Sequence, residues 1–235
     1  MNQPKETELI LALDCEDKSK ALDILQELRG HLDWVKIGLQ MFTAEGSGLV
    51  ESVHKMGFKI FLDLKLHDIP NTVAKSIKSL SKLPIEMLTI HAIGGEEMCR
   101  YAVEARNLYN PKLRLLAVTV LTSMNQAQLR SINIDYELEK QVLDLAKLSL
   151  SAGVNGIISS SHELEILRKN LGEEPLIVCP GIRPGGSSLN EQKRVMSPSE
   201  ACALGADFIV VGRPILMSDK PIEIVKSISG SLRNT

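Results

Sequence analysis

Short runs of apolar and β-branched residues alternate with longer amphipathic segments from one end of the chain to the other. The apolar runs are LILALD (9–14), WVKIG (34–38), FKIFLDLK (58–65), EMLTIHA (86–92), RLLAVTVL (114–121), NGIISS (155–160), LIVCPGI (176–182) and DFIVVG (207–212). Most are continuously apolar, which is typical of parallel strands covered on both faces. This alternation predicts a parallel α/β sheet in which a helix follows each strand.

The segments between the runs have the apolar spacing of amphipathic helices. Leucines recur along one face of SKALDILQELRG (19–30) and of YELEKQVLDLAKLSLSAG (136–153). Gly153 suits the C-cap of the second helix, and Gly57 and Gly205 stand in the same place at the ends of two further helices.

Eight strand–helix units in 235 residues correspond to roughly 30 residues per unit, close to the length of a (β/α)8 barrel. An open, doubly wound sheet is the alternative, but no GxGxxG follows the first run, and eight regular units favour closure. No linker, low-complexity tract or charge block divides the chain. We therefore expect an α/β fold consisting of a single (β/α)8 TIM barrel over residues 1–235, with its active site at the C-terminal ends of the strands.

Charge and cysteine usage narrow the function classes. The net charge of −2, from 27 basic and 29 acidic residues, lacks the excess of basic residues that is typical of proteins binding nucleic acid or an acidic membrane surface. The N-terminal MNQPKETE is polar and no stretch of some 18 apolar residues occurs, so no membrane span is expected. Four cysteines without a CxxC pair are typical of reduced thiols. We predict a cytoplasmic protein that acts on a small molecule.

Polar residues recur where the predicted strands end. They are Asp14, Lys36, Asp63, Lys65, His91, Thr122, Ser123, Arg183 and Arg213. A salt bridge or a helix cap would account for any one of them. Together, at the barrel rim where these folds carry their catalytic groups, they indicate an active site.

The stretch FLDLKLHDIPNT (61–72) places one ammonium between two carboxylates. Since side chains alternate along a strand, we expect Asp63 and Lys65 to point to the same side, with Lys36 of the neighbouring strand facing the same cavity. Asp68, ahead of Pro70, suits the first turn of the next helix. An ion-pair network that only braces the rim is the alternative, although bracing does not require so many buried charges.

Two glycine–arginine pairs predict an anion site. VVGRP (210–214) supplies Gly212 and Arg213, and PGIRPGG (180–186) supplies Arg183 after the preceding strand. The loops after strands 7 and 8 form the habitual phosphate site of these barrels, and the arginine fork matches phosphate geometry.

The segment PGGSSLNEQKRVMSP (184–198) is long for a strand–helix loop. We expect it to close over the ligand as a lid, with an unstructured surface loop as the alternative.

Four motifs make the chain resemble the orotidine 5′-phosphate decarboxylase family over nearly its whole length. The most specific is DLKLHDIPNT (63–72), with the pattern Asp-x-Lys-x-x-Asp, and the others are TIHAIGG (89–95), VTVLTS (118–123) and PGIRP (180–184). The resemblance implies a carboxy-lyase that converts orotidine 5′-monophosphate (OMP) to UMP and CO2 without a cofactor, in the last step of de novo pyrimidine nucleotide synthesis.

The resemblance also implies a role for each matched residue. Lys36, Asp63, Lys65 and Asp68 would form a charged tetrad in which Lys65 stabilises and protonates a carbanion at C6. Asp68 and Thr72 would come from the partner subunit of a homodimer with shared active sites. Asp14 and Lys36 would hold the ribose hydroxyls and Thr122 the pyrimidine. Gln192, Gly212 and Arg213 would bind the phosphate beside Arg183, with Gln192 also reaching the base.

Two other functions fit the same scaffold. Hexulose- and gulonate-phosphate enzymes share the Asp-x-Lys-x-x-Asp element and use Mg²⁺, but they carry an acidic residue where this chain has Lys36. A cation there opposes metal binding, so we expect no metal. A catalytically inactive nucleotide-binding barrel is the second alternative. For His91 we expect only a core or supporting role.

Overall fold

A computed structural model of the protein describes residues 6–184 and 196–233. Within them, eight parallel strands form a closed barrel in chain order, β1 to β8. The strands are β1 (Glu8–Ala12), β2 (Trp34–Gly38), β3 (Lys59–Leu66), β4 (Met87–His91), β5 (Arg114–Val118), β6 (Gly156–Ile158), β7 (Leu176–Pro180) and β8 (Phe208–Val211). The predicted barrel is confirmed, because β8 returns to pair with β1 through Glu8 and Phe208.

Helices surround the barrel. They are α1 (Lys18–Leu28), α2 (Leu39–Glu45), α3 (Ser47–Lys55), α4 (Pro70–Leu80), α5 (Gly95–Tyr109), α6 (Gln126–Ser131), α7 (Leu138–Ser151), α8 (Leu164–Leu171), α9 (Pro198–Ala203), α10 (Arg213–Leu216) and α11 (Pro221–Arg233). Short 3-10 helices cover Ala92–Gly94 and Ser161–Glu163. The connections after β2, β5 and β8 each hold two helices, so the expectation of one helix per strand is too simple.

Several strands end earlier than their apolar runs predict. β1 ends at Ala12 rather than at residue 14, and β5 ends at Val118 rather than at residue 121. The last residues of these runs leave the ladder to form the loops at the barrel mouth. At the predicted helix ends, Gly57, Gly153 and Gly205 have the positive φ of C-cap glycines.

Alternate strand residues face the barrel interior, and the others pack under the helices. The interior cluster consists of Ile10, Ala12, Trp34, Phe61, Met87, Leu116, Val118, Ile158, Val178, Phe208 and Val210. A larger cluster between the sheet and the helices contains leucine, isoleucine and valine side chains from both layers. The barrel is therefore a packed core, as is usual for this fold.

Aromatic and charged side chains close the N-terminal end of the barrel. Trp34 packs edge-to-face on Phe208 with the ring centroids 5.4 Å apart, and the Arg114 guanidinium lies 5.0 Å from the Trp34 ring. The Trp34 indole N–H donates a hydrogen bond to Glu8 at 2.8 Å. Among the described residues, these side chains fill the N-terminal end, which leaves the C-terminal end of the strands as the place for a ligand.

Over the described ranges, no helix has the length and the apolar character needed to cross a lipid bilayer.

Candidate active site

A cavity of about 290 Å³ opens at the C-terminal end of the barrel. Eight of the residues predicted from sequence line it, namely Asp14, Lys36, Asp63, Lys65, Thr122, Arg183, Gly212 and Arg213. Its floor is the upper layer of the interior cluster, which includes Phe61, Val118 and Val178. The cavity has an apolar base and a charged rim, as small-molecule sites commonly do.

Four charged side chains form a continuous chain across one wall of the cavity. The Lys65 ammonium donates to Asp63 Oδ2 at 2.8 Å, and the Lys36 ammonium lies 3.7 Å from the same oxygen. Lys36 also donates to Asp14 Oδ1 at 3.2 Å. One carboxylate therefore balances two ammonium groups, and Asp14 contacts the second of them from the solvent side.

Burial differs along this chain of charges. The Asp63 and Lys36 side chains are each 12% exposed, whereas the Lys65 side chain is 36% exposed and reaches into the cavity. A buried carboxylate is stable only when it is paired and hydrogen-bonded. Asp63 meets this condition through the two lysines. Lys65 is the more exposed of these lysines, so its ammonium is the one that a ligand can contact.

The backbone of β3 is irregular where it carries these residues. The pairing of β3 with β4 is regular up to Leu62 and Leu88 and resumes at Leu66 and Ile90, so three residues of β3 lie opposite one residue of β4. Lys65 has φ +51, a left-handed conformation. Asp63 and Lys65 point into the same cavity, as expected. The assumed cause, regular alternation along the strand, does not apply, because a bulge lies between Leu62 and Leu66.

Thr89 is a residue that the sequence reasoning missed. It lies in β4 two residues beyond the inward-facing Met87, and it is fully buried. Its hydroxyl donates to Asp63 Oδ1 at 2.9 Å and accepts the backbone N–H of Lys65 at 2.8 Å. The available signal was a polar residue at an inward position of an apolar strand.

His91 is the last residue of β4 and lies at the C-terminal end of the barrel, as the cavity does. Its Nδ1 atom is buried without a hydrogen-bond partner among the described residues, and its ring lies 5.5 Å from that of His67. Burial, then His67 and Lys65, lower the pKa of His91. The neutral imidazole is therefore the form that this environment favours.

The predicted anion-binding residues lie at the ends of β7 and β8. Gly212 follows β8 and is close to β1, since a Cβ atom there would lie 3.3 Å from Ala12 Cβ. Arg213 is exposed at the start of α10, and Arg183 follows β7 and also lines the cavity. Gln192 and most of the predicted lid lie outside the described residues.

Asp68 and Thr72 lie away from the cavity. Both are exposed, and neither lines the cavity of their own barrel. Asp68 lies outside α4 rather than in its first turn, because Ile69 is the N-cap and Pro70 the first helical residue. Ile69 precedes Pro70 and is therefore disfavoured in the helical region, so the helix begins only after it. The Asp68 carboxylate accepts the N–H of Ile69 at 2.7 Å.

No group of three or more His, Cys, Asp or Glu side chains within residues 6–184 and 196–233 has the arrangement of a metal site. The cationic side chain of Lys36 lies between the carboxylates of Asp14 and Asp63, where a metal ion would otherwise find its oxygen ligands.

Sequence and structure comparisons agree on one family. The profile of the orotidine 5′-phosphate decarboxylase / HUMPS family matches residues 7–228. The chain is 43% identical over 227 residues to the orotidine 5′-phosphate decarboxylase of Opitutus terrae, covering 97% of this chain and 99% of the relative. It is 45% identical over 232 residues to that of Gluconobacter oxydans, covering 97% and 98%. The crystal structure of orotidine 5′-phosphate decarboxylase from Lactobacillus acidophilus superimposes with a TM-score of 0.86 at 36% identity, covering 97% and 99%.

Proposed function

The chain belongs to the orotidine 5′-phosphate decarboxylase / HUMPS family, and we propose that it is a carboxy-lyase that converts OMP to UMP and CO2 in pyrimidine nucleotide synthesis. The single observation that carries this proposal is the Lys65–Asp63 pair, 2.8 Å apart, with the Lys36 ammonium on the same carboxylate. The Asp63 carboxylate holds the Lys65 ammonium in a fixed position within a cavity that has an apolar floor. An ammonium fixed in this way can stabilise the negative charge that develops on carbon as CO2 leaves.

The proposed reaction balances without a cofactor. The bond from C6 to the carboxylate breaks, its electron pair stays on C6, and CO2 leaves. The Lys65 ammonium stabilises the developing carbanion and then transfers a proton to C6, which gives UMP and a neutral lysine that solvent reprotonates. Asp63 holds the ammonium charged and directed at the carbon.

Repulsion between Asp63 and the substrate carboxylate contributes less. Two like charges ~4 Å apart at an effective dielectric constant of about 20 interact by about 4 kcal/mol. This corresponds to roughly a thousandfold in rate, whereas the slowest uncatalysed reactions require far larger accelerations. Stabilisation of the carbanion by Lys65 is therefore the dominant effect in the proposal.

The remaining cavity residues bind the nucleotide. Asp14 and Lys36, in contact at 3.2 Å, hold the ribose hydroxyls. Thr122 contacts the pyrimidine. The phosphate lies near Gly212, where the absence of a side chain allows close backbone approach, and pairs with Arg213 beside Arg183. For Gln192, which lies outside the described residues, we propose a role in binding the phosphate and the base.

The family description also covers hexulose-phosphate enzymes, so the choice between the two activities depends on the site. Lys36 argues against the Mg²⁺-dependent activity, because its ammonium lies within 4 Å of both Asp14 and Asp63. Bound Mg²⁺ would face this fixed positive charge. We therefore propose that the reaction needs no metal, and that the residues present make a catalytically inactive barrel the weaker alternative.

A homodimer completes the proposed site. Large apolar side chains stay exposed just beyond four consecutive strands, at Leu39, Ile69, Ile93 and Leu121. Exposed apolar residues grouped in this way are typical of a contact surface. Asp68 and Thr72 flank Ile69, so a second copy bound there would receive both residues in its cavity. A cytoplasmic location and a single domain over residues 1–235 remain predictions.

The test is an absorbance assay of OMP consumption, with UMP identified by chromatography. The proposal predicts turnover of OMP at the same rate with and without EDTA, and no turnover of a hexulose 6-phosphate. Loss of activity in EDTA, or turnover of the sugar phosphate alone, would favour the metal-dependent alternative. Tight UMP binding without any turnover would identify the inactive barrel.

A further inference from the structure

We propose that Thr89 is a positioning residue for the decarboxylation, whose single hydroxyl holds the Asp63 carboxylate and the Lys65 backbone in their reactive arrangement. This inference rests on the proposed function. Thr89 does not reach the cavity, so it acts only through these two residues.

The bulge in β3 creates the need for such a residue. Between the Leu62–Leu88 and Leu66–Ile90 pairs, β3 contributes three residues and β4 only Thr89. Lys65 is thereby displaced from the regular ladder, and its backbone N–H donates to Thr89 Oγ1 at 2.8 Å. The Thr89 side chain thus accepts the hydrogen bond of the Lys65 amide, which lies in the interrupted part of the ladder.

The same hydroxyl orients the carboxylate. Its one hydrogen is donated to Asp63 Oδ1 at 2.9 Å, and Oδ2 contacts both lysines. A threonine hydroxyl has one donor and two acceptor sites, so it can serve both groups at once. Thr89 is fully buried, which means that no solvent competes for these bonds.

The conformation of Lys65 makes this support consequential. A φ of +51 is unfavourable for a residue that carries a Cβ atom, and such conformations persist only where the surroundings impose them. The backbone conformation of Lys65 sets the direction in which its side chain leaves the strand, and the Asp63 carboxylate fixes the position of the ammonium. Thr89 contacts both groups. Loss of its hydroxyl should therefore misplace the ammonium while leaving the phosphate and ribose contacts intact.

A purely structural role for Thr89 makes a different prediction. As a filler of the barrel interior, the side chain would matter to kcat only through its volume, and valine, which is β-branched like threonine, would preserve kcat. Under the positioning role, the hydroxyl matters and serine should replace it.

The experiment measures kcat for OMP in two pairs of variants. The first pair is Thr89→Val and Thr89→Ser. The second pair is Thr89→Ala and Thr89→Ser, which differ mainly in the hydroxyl. Thr119→Val is the matched control. Thr119 is also a buried threonine just beyond a strand of this rim, but its hydroxyl donates to the Ile158 carbonyl at 3.2 Å. We expect kcat for OMP to fall about 100-fold in Thr89→Val, a loss typical of a misplaced catalytic group. KM and UMP affinity should change less than threefold, and Thr89→Ser and Thr119→Val should stay within about threefold of wild type.

Several outcomes would overturn the inference. A kcat loss below tenfold in Thr89→Val, or an equal loss in Thr119→Val, would leave Thr89 a structural residue. If Thr89→Val does not fold, the second pair decides, and equal kcat values in Thr89→Ala and Thr89→Ser would contradict the positioning role. Wild-type protein without OMP turnover would instead refute the proposed function, so the two failures are distinguishable.

Discussion

Gly38 leaves free the space beside the Lys36 ammonium, since a Cβ atom at position 38 would lie 2.9 Å from Lys36 Nζ and 3.4 Å from Asp14 Oδ1. The residue ends β2, two positions beyond Lys36, and it pairs with Asp63 of β3. Its lack of a side chain allows the lysine to fold back over the strand end and to contact both carboxylates.

Gly38→Ala should therefore lower activity more than stability. The added methyl group meets the mobile end of a lysine rather than the backbone, so the fold can accommodate it by moving the ammonium. We expect kcat/KM for OMP to fall at least tenfold, about 1.4 kcal/mol of transition-state stabilisation, with an almost unchanged melting temperature. Gly48→Ala is the control, because a Cβ atom there meets nothing within 4 Å. Equal kcat/KM values in both variants would show that the Lys36 position does not matter.

Arg213→Ala should weaken substrate binding and also slow the chemical step, because a contact with a remote phosphate helps to organise the site. Phosphite should activate the wild-type enzyme towards a truncated nucleoside substrate, and it should fail to activate this variant. Arg100→Ala, which removes an exposed arginine of α5 paired with Glu104, is the control. Equal activation by phosphite in wild type and Arg213→Ala would place the phosphate site elsewhere.

Glu163→Gln should stabilise the protein at neutral pH. Burial raises the pKa of Glu163 in the folded state, although Ser159 donates a hydrogen bond to its carboxylate at 3.1 Å. A raised acid pKa means that stability is complete below the unfolded value, near 4.3, and falls as the pH rises through the folded value. Glutamine removes this loss of stability, so thermal unfolding should give a higher melting temperature at pH 7 and little change near pH 4. Each kcal/mol gained in the free energy of unfolding should raise the melting temperature by ~2–4 °C.

Glu200→Gln provides a control of opposite sign. Hydrogen bonds from Ser197 lower the pKa of Glu200 in the capping box of α9. Its stabilisation is present above the unfolded pKa and is lost as the pH falls, so the substitution should destabilise the protein at pH 7. A Glu163→Gln variant that also loses stability at pH 7 would contradict the account of its burial.

The barrel and the charged part of the cavity lining were predictable because both follow from strand periodicity. Continuous apolar runs separated by amphipathic helices specify parallel strands, and parallel strands bring their C-terminal residues to one rim. Residues as distant as Asp14 and Arg213 could therefore be placed together without knowledge of any contact.

The details around β3 were not predictable in the same way. The alternation rule assumes a regular ladder, whereas the bulge between Leu62 and Leu66 depends on how β3 and β4 pair. The left-handed Lys65 and the supporting role of Thr89 follow from that pairing. The steric requirement at Gly38 likewise arises from where a lysine side chain folds in three dimensions.

Mixing two inactive variants tests whether each site is built from two chains. If Asp68 acts across a two-fold interface, a mixed dimer of Lys65→Ala and Asp68→Ala has one site with both defects and one with neither. Activity should reappear after subunit exchange, up to about a quarter of the wild-type rate per site when exchange is statistical.

Lys65→Ala mixed with Asp63→Ala is the control for this complementation. Both residues lie on β3 of one chain and contact each other at 2.8 Å, so every site of the mixed dimer keeps a defect. This mixture should stay inactive. If the Lys65→Ala and Asp68→Ala mixture is equally inactive despite proven subunit exchange, the barrel is self-contained.

The most direct test of the account is the rate of OMP decarboxylation by Lys65→Ala, measured together with its affinity for UMP. Lys59→Ala is the matched control, because it removes an exposed lysine from the opposite end of β3, where it pairs with Asp33. We predict that Lys65→Ala has no measurable turnover and binds UMP nearly as wild type does, while Lys59→Ala remains fully active. Residual Lys65→Ala activity within about tenfold of wild type, equivalent to under ~1.4 kcal/mol, would contradict the assignment of Lys65 as the proton donor.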